Sequence, residues 1–344
     1  MALVPRGPLH FERIGNPART VARDPRGTVV ATFTDGARTA VLTGPSRTFA
    51  EPRTTDAKVV TKSWVRLLPK PWARGAERGG WFRTWLTSPL GSRDPDILAT
   101  AFEYVAGAPV RTTAAGVKYS GAARYAPDTT SGSGRAAQGK PKPRTGSDFY
   151  DYLGIPWTFL DTVTRRPEKD RARSVDSSGY VRLVYGYRSG FPLNSRDNAA
   201  GSGLQRTPDA IAHGRLGVPV IPLTDRRPTV IQQLQPGDLV FFTTRELPGK
   251  RIGHIGICLG LDPDGDGYYA QGLRGARRRQ SAGHHHARRG SLIRVARSQS
   301  SERGHESGTR PLITPHSKKA RVSDLGLLHG AGDENRTRAL SLGS

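Results

Sequence analysis

The sequence predicts an α+β fold, and three observations carry that expectation. First, Thr28-Val-Val-Ala-Thr-Phe-Thr34 and Arg38-Thr-Ala-Val-Leu-Thr43 flank Asp35-Gly36. An Asp-Gly step between alternating β-formers is the strongest short-range hairpin signal. Second, in residues 175–187 Tyr180, Val181, Val184, Tyr185 and Tyr187 recur at the i, i+3 and i+4 spacing of a helix, with Asp176 placed as its N-cap. Third, Leu234-Gln-Pro-Gly-Asp-Leu-Val-Phe-Phe242 reads as a Pro-Gly turn feeding a strand, and Ile252-Gly-His-Ile-Gly-Ile-Cys-Leu-Gly260 reads as a second apolar strand. A β-rich start, a helix and then consecutive strands describe helix packed on antiparallel sheet.

Composition divides the chain further. Hydrophobic residues make up 35% of 344, enough for a buried core in part of the length. The net charge of +24 is uneven: +12 over residues 1–150, +2 over 151–270 and +10 over 271–344. The near-neutral middle has the balance of a folded domain, whereas the two ends have the charge of segments drawn to wall polymers, anionic lipid or nucleic acid. The expected division is a flexible N-terminus at 1–26, a β-rich module at 27–125, a linker at 126–146, the main domain at 147–275 and a disordered basic tail at 276–344.

Within the module, Lys58-Val-Val-Thr-Lys-Ser-Trp-Val-Arg66 adds a strand and residues 97–106 read as a short helix. Trp64, Trp72, Trp81 and Trp85 form either an aromatic platform for sugar or, on the preferred reading, the packing between this module and its neighbour. The linker is Gly, Ser, Pro and Lys with little to bury. Beyond Arg274 the chain turns to Arg, Ser, Gly and His. Its end, Gly332 to Ser344, has the look of out-of-frame translation and suggests a loss of frame near Gly275. On this reading the tail contributes nothing to folding.

Several classes of function are set aside. A single cysteine, Cys258, excludes an internal disulfide or a multi-cysteine metal site. No run of 18 apolar residues could span a bilayer, and the first residues contain no apolar stretch of signal-peptide length, which leaves cytoplasmic retention open. The His284-His285-His286 tract reads as solvated tail. Asp262-Pro-Asp-Gly-Asp-Gly267 begins like a calcium loop but has Leu273 where the bidentate Glu would stand, so it reads as a hairpin turn. No metal and no cofactor is expected.

Singly, a capped helix, a Pro-Gly-Asp strand and a strand histidine are common features. In this order they resemble the NlpC-type peptidoglycan endopeptidases, papain-like cysteine peptidases whose motifs run Asp-Cys-Ser-Gly, Pro-Gly-Asp-Leu and His-Val-Gly-Ile-Tyr-Leu-Gly. The segment Ser147-Asp-Phe-Tyr-Asp-Tyr-Leu-Gly-Ile-Pro-Trp157 is similar to the helix and Gly-x-Pro-aromatic turn preceding the nucleophile, above all in actinobacterial members. The resemblance covers residues 145–275. It implies a papain-like domain with the nucleophile helix packed on an antiparallel sheet, preceded by the small β-rich module.

By the same resemblance the protein is a secreted or cell-wall amide hydrolase of the peptidoglycan stem peptide. Ser177 takes the nucleophile position and His254 is the general base facing it across a cleft. Asp176, Ser178 and Trp157 flank the substrate and oxyanion site, and Gln271 is a weaker candidate for the third residue that orients the imidazole. A cysteine thiol of ordinary pKa about 8.5 becomes a usable thiolate beside imidazole and a helix N-terminus, which a serine hydroxyl does not. Trp157 brings no hydroxyl where many members have tyrosine. A hairpin centred between Asp264 and Gly265 would put Gln271 opposite Cys258 and Gly275 opposite His254. Cys258 lies four residues from His254, about 13 Å at strand rise, and reads as a buried structural thiol. The implied partners are the stem peptide and anionic wall polymers. Two alternatives are a non-catalytic peptidoglycan-binding pseudoenzyme and a basic nucleic-acid binder, the latter supported by charge but by no recognition motif.

Overall fold

The computed structural model describes residues 7–50, 58–125, 146–221, 231–243, 252–261, 267–271, 291–295 and 337–342. Five strands open the chain, β1 (His10–Ile14), β2 (Arg19–Arg23), β3 (Val29–Thr34), β4 (Thr39–Ala50) and β5 (Lys58–Leu67), paired antiparallel in sequence order. The expected hairpin is β3 and β4, with Gly36 at φ 78, a conformation open to glycine and costly for most other residues. β1 and β2 lie in the stretch expected to be flexible. Each is five residues long, with Arg13 in β1 and Arg19 and Arg23 in β2, and neither shows the apolar alternation that marks a strand, yet Val21 and Ala22 are buried.

The tryptophans pack the module internally. Phe33 stacks on Trp72 at 4.2 Å, and Phe82 and Trp85 of α1 (Gly80–Gly91) meet Phe33 edge-on at 5.3 and 6.4 Å. Trp64 lies under the Arg47 guanidinium at 3.8 Å. Arg47 and the backbone N–H of Val65 both bond to Asp96, the buried N-cap of α2 (Ile97–Phe102). Through α2 the chain enters a second core. Ile97, Leu98, Ala101, Tyr104 and Ala123 share that core with Phe149, Val181 and Ile255, so no boundary at residue 125 divides the packing.

The rest follows as β6 (Arg124–Tyr125), α3 (Phe149–Leu153), β7 (Trp157–Thr158), β8 (Thr164–Arg165), β9 (Ser174–Val175), α4 (Ser177–Val181) and α5 (Pro208–His213). α4 runs directly into a wider π-type helical segment, Arg182–Tyr187. Then come β10 (Gly217–Ile221), β11 (Leu239–Thr243), β12 (Ile252–Leu261), β13 (Gly267–Gln271), β14 (Ser291–Val295) and β15 (Thr337–Leu342). They form one antiparallel sheet in the order β10-β15-β11-β12-β13-β14. α4 and α5 both pack on β12. The fold is α+β, as expected.

β14 and β15 come from the segment expected to be disordered. Ser291-Leu-Ile-Arg-Val295 and Thr337-Arg-Ala-Leu-Ser-Leu342 mix polar and apolar residues without strict alternation over five and six positions, too briefly to stand out from a long polar tail. The remainder of that segment, including His284–His286, lies outside the described residues, as do residues 126–145 of the linker and the acidic turn at 262–266.

β5 and the π-type segment meet at the Pro236-Gly237 turn. Gly237, at φ 90, donates its N–H to the Cys258 carbonyl at 2.8 Å, and its own carbonyl accepts from the Tyr185 hydroxyl. A Cβ on Gly237 would lie 2.6 Å from Val65 Cγ1 of β5. Gly237→Ala is therefore expected to destabilise the protein by about 1–3 kcal/mol, combining left-handed strain with overpacking. In urea unfolding, Val65→Ala in the same chain should make the double variant's loss smaller than the sum of the singles by at least about 0.5 kcal/mol.

Candidate functional site

Asp176 begins the site. Its backbone is extended and its Oδ1 accepts from Gly179 N–H at 2.7 Å and from the Ser178 hydroxyl at 3.0 Å, so the side chain starts α4 where the sequence places an N-cap. Ser177 is the first residue of the helix and is 5% exposed. Glycine at 179 is required by close approach, since a Cβ there would sit 2.5 Å from the Ser147 carbonyl oxygen.

Behind this turn lies a buried ionic network. Arg206 donates Nη2 to Asp176 Oδ2 at 2.7 Å and Nη1 to Ser178 Oγ at 2.9 Å, and its Nε stands 3.6 Å from Asp148. Arg182, five residues after Ser177 and fully buried, donates Nε to Asp148 at 3.0 Å and Nη1 to the carbonyls of Asn194 and Leu204. Asp148 also caps α3 in a capping box with Asp151. Burial alone would raise the Asp148 pKa, but Arg182 and Arg206 outweigh it and hold the carboxyl below its ordinary value. Asp151, without such partners, is raised by burial. Burial would lower Arg206, yet Asp176 and Asp148 carry it above its ordinary value.

His254 stands near the start of β12, 6% exposed, opposite Phe242 of β11 with ring centroids 5.8 Å apart. Because α4 packs on β12, the elements carrying Ser177 and His254 face one another. The β12–β13 register differs from the expected one. Gln271 pairs with Gly256 and Cys258 pairs with Tyr269, with an irregularity between Cys258 and Gly260 that a symmetric hairpin does not include. Gln271 is thus two pairs along from the one that holds His254, on a backbone position of the same sheet face, instead of opposite Cys258. The position directly opposite His254 lies outside the described residues.

Cys258 is 1% exposed, and burial first, then Asp238, push its thiol up to about 12. The Trp157 ring meets Phe149 at 5.2 Å and Tyr187 at 5.7 Å, both edge-on. Sequence patterning does not mark Arg206, Arg182 or Asp148 as residues of the site. An arginine inside the apolar run Tyr180-Val-Arg-Leu-Val-Tyr185 was the available signal, because a lone cation on a buried helix needs a buried carboxylate.

Residues 165–300 match the model of the NlpC/P60 family. The chain carries an NlpC/P60 domain. That family acts on peptidoglycan, is generally associated with the cell wall and suggests peptidase activity. The matched span holds Asp176, Ser177, Ser178, His254 and Gln271, while Trp157 precedes it. It also runs past Gly275, where composition suggested a loss of frame, and takes in β14. No curated protein and no solved structure matches the chain. Among the described residues no helix of the NlpC/P60 domain or its neighbour is long and apolar enough to cross a membrane, and no three His, Cys, Asp or Glu side chains could hold a metal ion.

Two measurements check this electrostatic arrangement. Asp148→Asn leaves Arg182 and Arg206 without their shared carboxylate and is expected to cost about 3–5 kcal/mol at pH 7. Because the folded pKa of Asp148 is lowered, the parent's advantage should be fully present above the usual carboxylate value of about 3.9 and should vanish as pH falls through the lower folded value. Urea midpoints of both proteins from pH 7 down to pH 2.5 read this directly. For Cys258, alkylation at pH 8 should be negligible in the native protein and rapid in denaturant.

Proposed function

We propose that the NlpC/P60 domain is built to hydrolyse an amide of the peptidoglycan stem peptide, with Ser177 at the nucleophile position and His254 as general base, and that the serine leaves it weakly active or inactive. In this reading Ser177 Oγ attacks the amide carbonyl while His254 accepts its proton. His254 then protonates the departing amine, and water releases the acyl group from Ser177 by the reverse sequence. Gln271, nearer His254 than the sequence suggested, is the candidate to orient the ring. Asp176 and Ser178 hold the nucleophile turn through Arg206.

The observation that supports this reading most is the packing of α4, which begins at a buried Ser177, on β12, which carries a buried His254. The hydroxyl is also what favours the second reading, a domain that binds muropeptide without cleaving it. Serine forms no resting ion pair with imidazole, and loss of a nucleophile's activation or of acid-base function generally costs on the order of 10² to 10⁴ in rate. Trp157 supplies no hydroxyl, so an oxyanion would lack that donor.

Release of free amine from a tetrapeptide muropeptide tests the proposal. The parent should show negligible turnover, Ser177→Cys should gain measurable activity, and His254→Ala in the Ser177→Cys protein should remove it. Inert Ser177→Cys protein that still binds the muropeptide would establish the binding-only reading. Robust turnover by the parent, lost in Ser177→Ala, would instead make the domain a serine hydrolase.

A further inference from the structure

The helical run that starts at Ser177 ends beside an open surface pocket of about 400 Å³ lined by Thr113, Tyr119, Tyr187 and Arg188. One wall is a short hairpin over residues 111–119, closed by the Thr112–Lys118 bridge and by Thr113 and Val117, whose N···O distance is 2.9 Å. The other wall is the last turn of the π-type segment. Arg188 is held in place from behind: its Nη1 donates to Glu103 and to the Tyr104 hydroxyl at 3.0 Å, and its guanidinium lies 4.8 Å over the Tyr119 ring. The hydrogen bonds found for Arg188 among the described residues use Nη1 from the side chain, which leaves Nε and Nη2 for a ligand.

The charge around the cavity is unbalanced. Glu103 serves two guanidinia, since Arg111 also reaches it at 3.3 Å. Exposed Lys118 sits on the same hairpin, and Arg173 donates to the Lys118 carbonyl at 2.6 Å. One carboxylate therefore stands among four cations. A preorganised guanidinium fork matches a carboxylate, and two tyrosine rings offer apolar faces to the carbon skeleton that bears it.

We infer that this cavity binds the free carboxylate of a muropeptide, as a second point of contact remote from Ser177. The inference rests on the reading of the domain as a muropeptide-binding hydrolase fold. The pocket lies at the far end of a helical run whose residues from Ser177 to Gly186 are buried, so the carboxylate is held as a separate contact and not by a stem laid along the helix. Tyr187, whose ring touches Trp157 at 5.7 Å, joins the cavity to the body of the domain.

The test uses the full chain carrying Ser177→Ala, so that binding is read without turnover. Calorimetric titration compares a tetrapeptide muropeptide with the same compound amidated at its carboxylates. Arg188→Gln removes the charged donor, while Thr113→Trp fills the cavity and leaves the Arg188–Glu103 pair in place; melting temperatures check that both fold. Each variant should weaken the acid ligand by about tenfold or more, as loss of a charged hydrogen bond does. The amidated ligand should bind the otherwise intact protein as weakly as the acid binds the Arg188→Gln protein. Equal affinity for acid and amide, unchanged affinity in folded Thr113→Trp protein, or no binding of the acid ligand would each overturn the site. Carboxylate-dependent binding that survives alongside an inert Ser177→Cys protein would retain the site and discard the hydrolase reading.

Discussion

Two aspartates and two arginines, removed from water together, set the geometry around Ser177. Asp148, Arg182, Arg206 and Asp176 link α3, the π-type segment that continues α4, the segment after Asn194 and the N-cap of α4. Desolvating the buried Asp148, Arg182 and Arg206 costs several kcal/mol each, and close pairing offsets most of that although Arg182 Nη2 has no hydrogen-bond partner among the described residues. The arrangement therefore tolerates little rearrangement: shifting any one member strands another in a low-dielectric interior. That rigidity fixes where α4 starts, and the start of α4 fixes Ser177.

A second constraint reaches the site from the N-terminal sheet. Val65 of β5 fills the space that a side chain on Gly237 would need, Tyr185 holds the Gly237 carbonyl, and Gly237 in turn pairs with Cys258 on β12. Asp96 ties β5 to α2, whose Ala101 carbonyl accepts from the Tyr180 hydroxyl on the nucleophile helix at 2.9 Å. The module is thus part of the frame that positions both α4 and β12, in addition to any role its basic surface has in attracting polyanions.

On the proposed reading, chemistry at Ser177 is narrower than the frame allows. Thiol and hydroxyl occupy similar volume, so Ser177 asks nothing new of the packing. What changes is charge at rest: a thiolate can be stabilised by imidazole and by the helix N-terminus before substrate arrives, whereas a hydroxyl must lose its proton during the attack. Cys258 does not compensate. It is buried, its thiol is held neutral, and it is four residues along the strand from His254.

Local signals determined much of this protein. Asp35-Gly36 marked a hairpin because that turn needs a residue at ease with positive φ, and Asp176 marked a helix start because its carboxylate can satisfy an amide that the helix leaves open. The order of nucleophile helix, Pro-Gly-Asp strand and histidine strand was enough to recognise the family's domain. Other features depended on partners far away in sequence. β1, β2, β14 and β15 are too short and too polar to declare themselves, and become strands only when neighbours pair their backbones. Gln271 changed its position relative to His254 because an irregularity between Cys258 and Gly260 moves the register, and register is a property of two strands. Arg206 looks like an ordinary surface cation in one dimension, and the apolar run around Arg182 says only that some carboxylate must stand near it. Only the folded chain brings Asp148 and Asp176 to them, because a buried charge is stabilised by whatever stands within a few ångströms, regardless of separation along the chain.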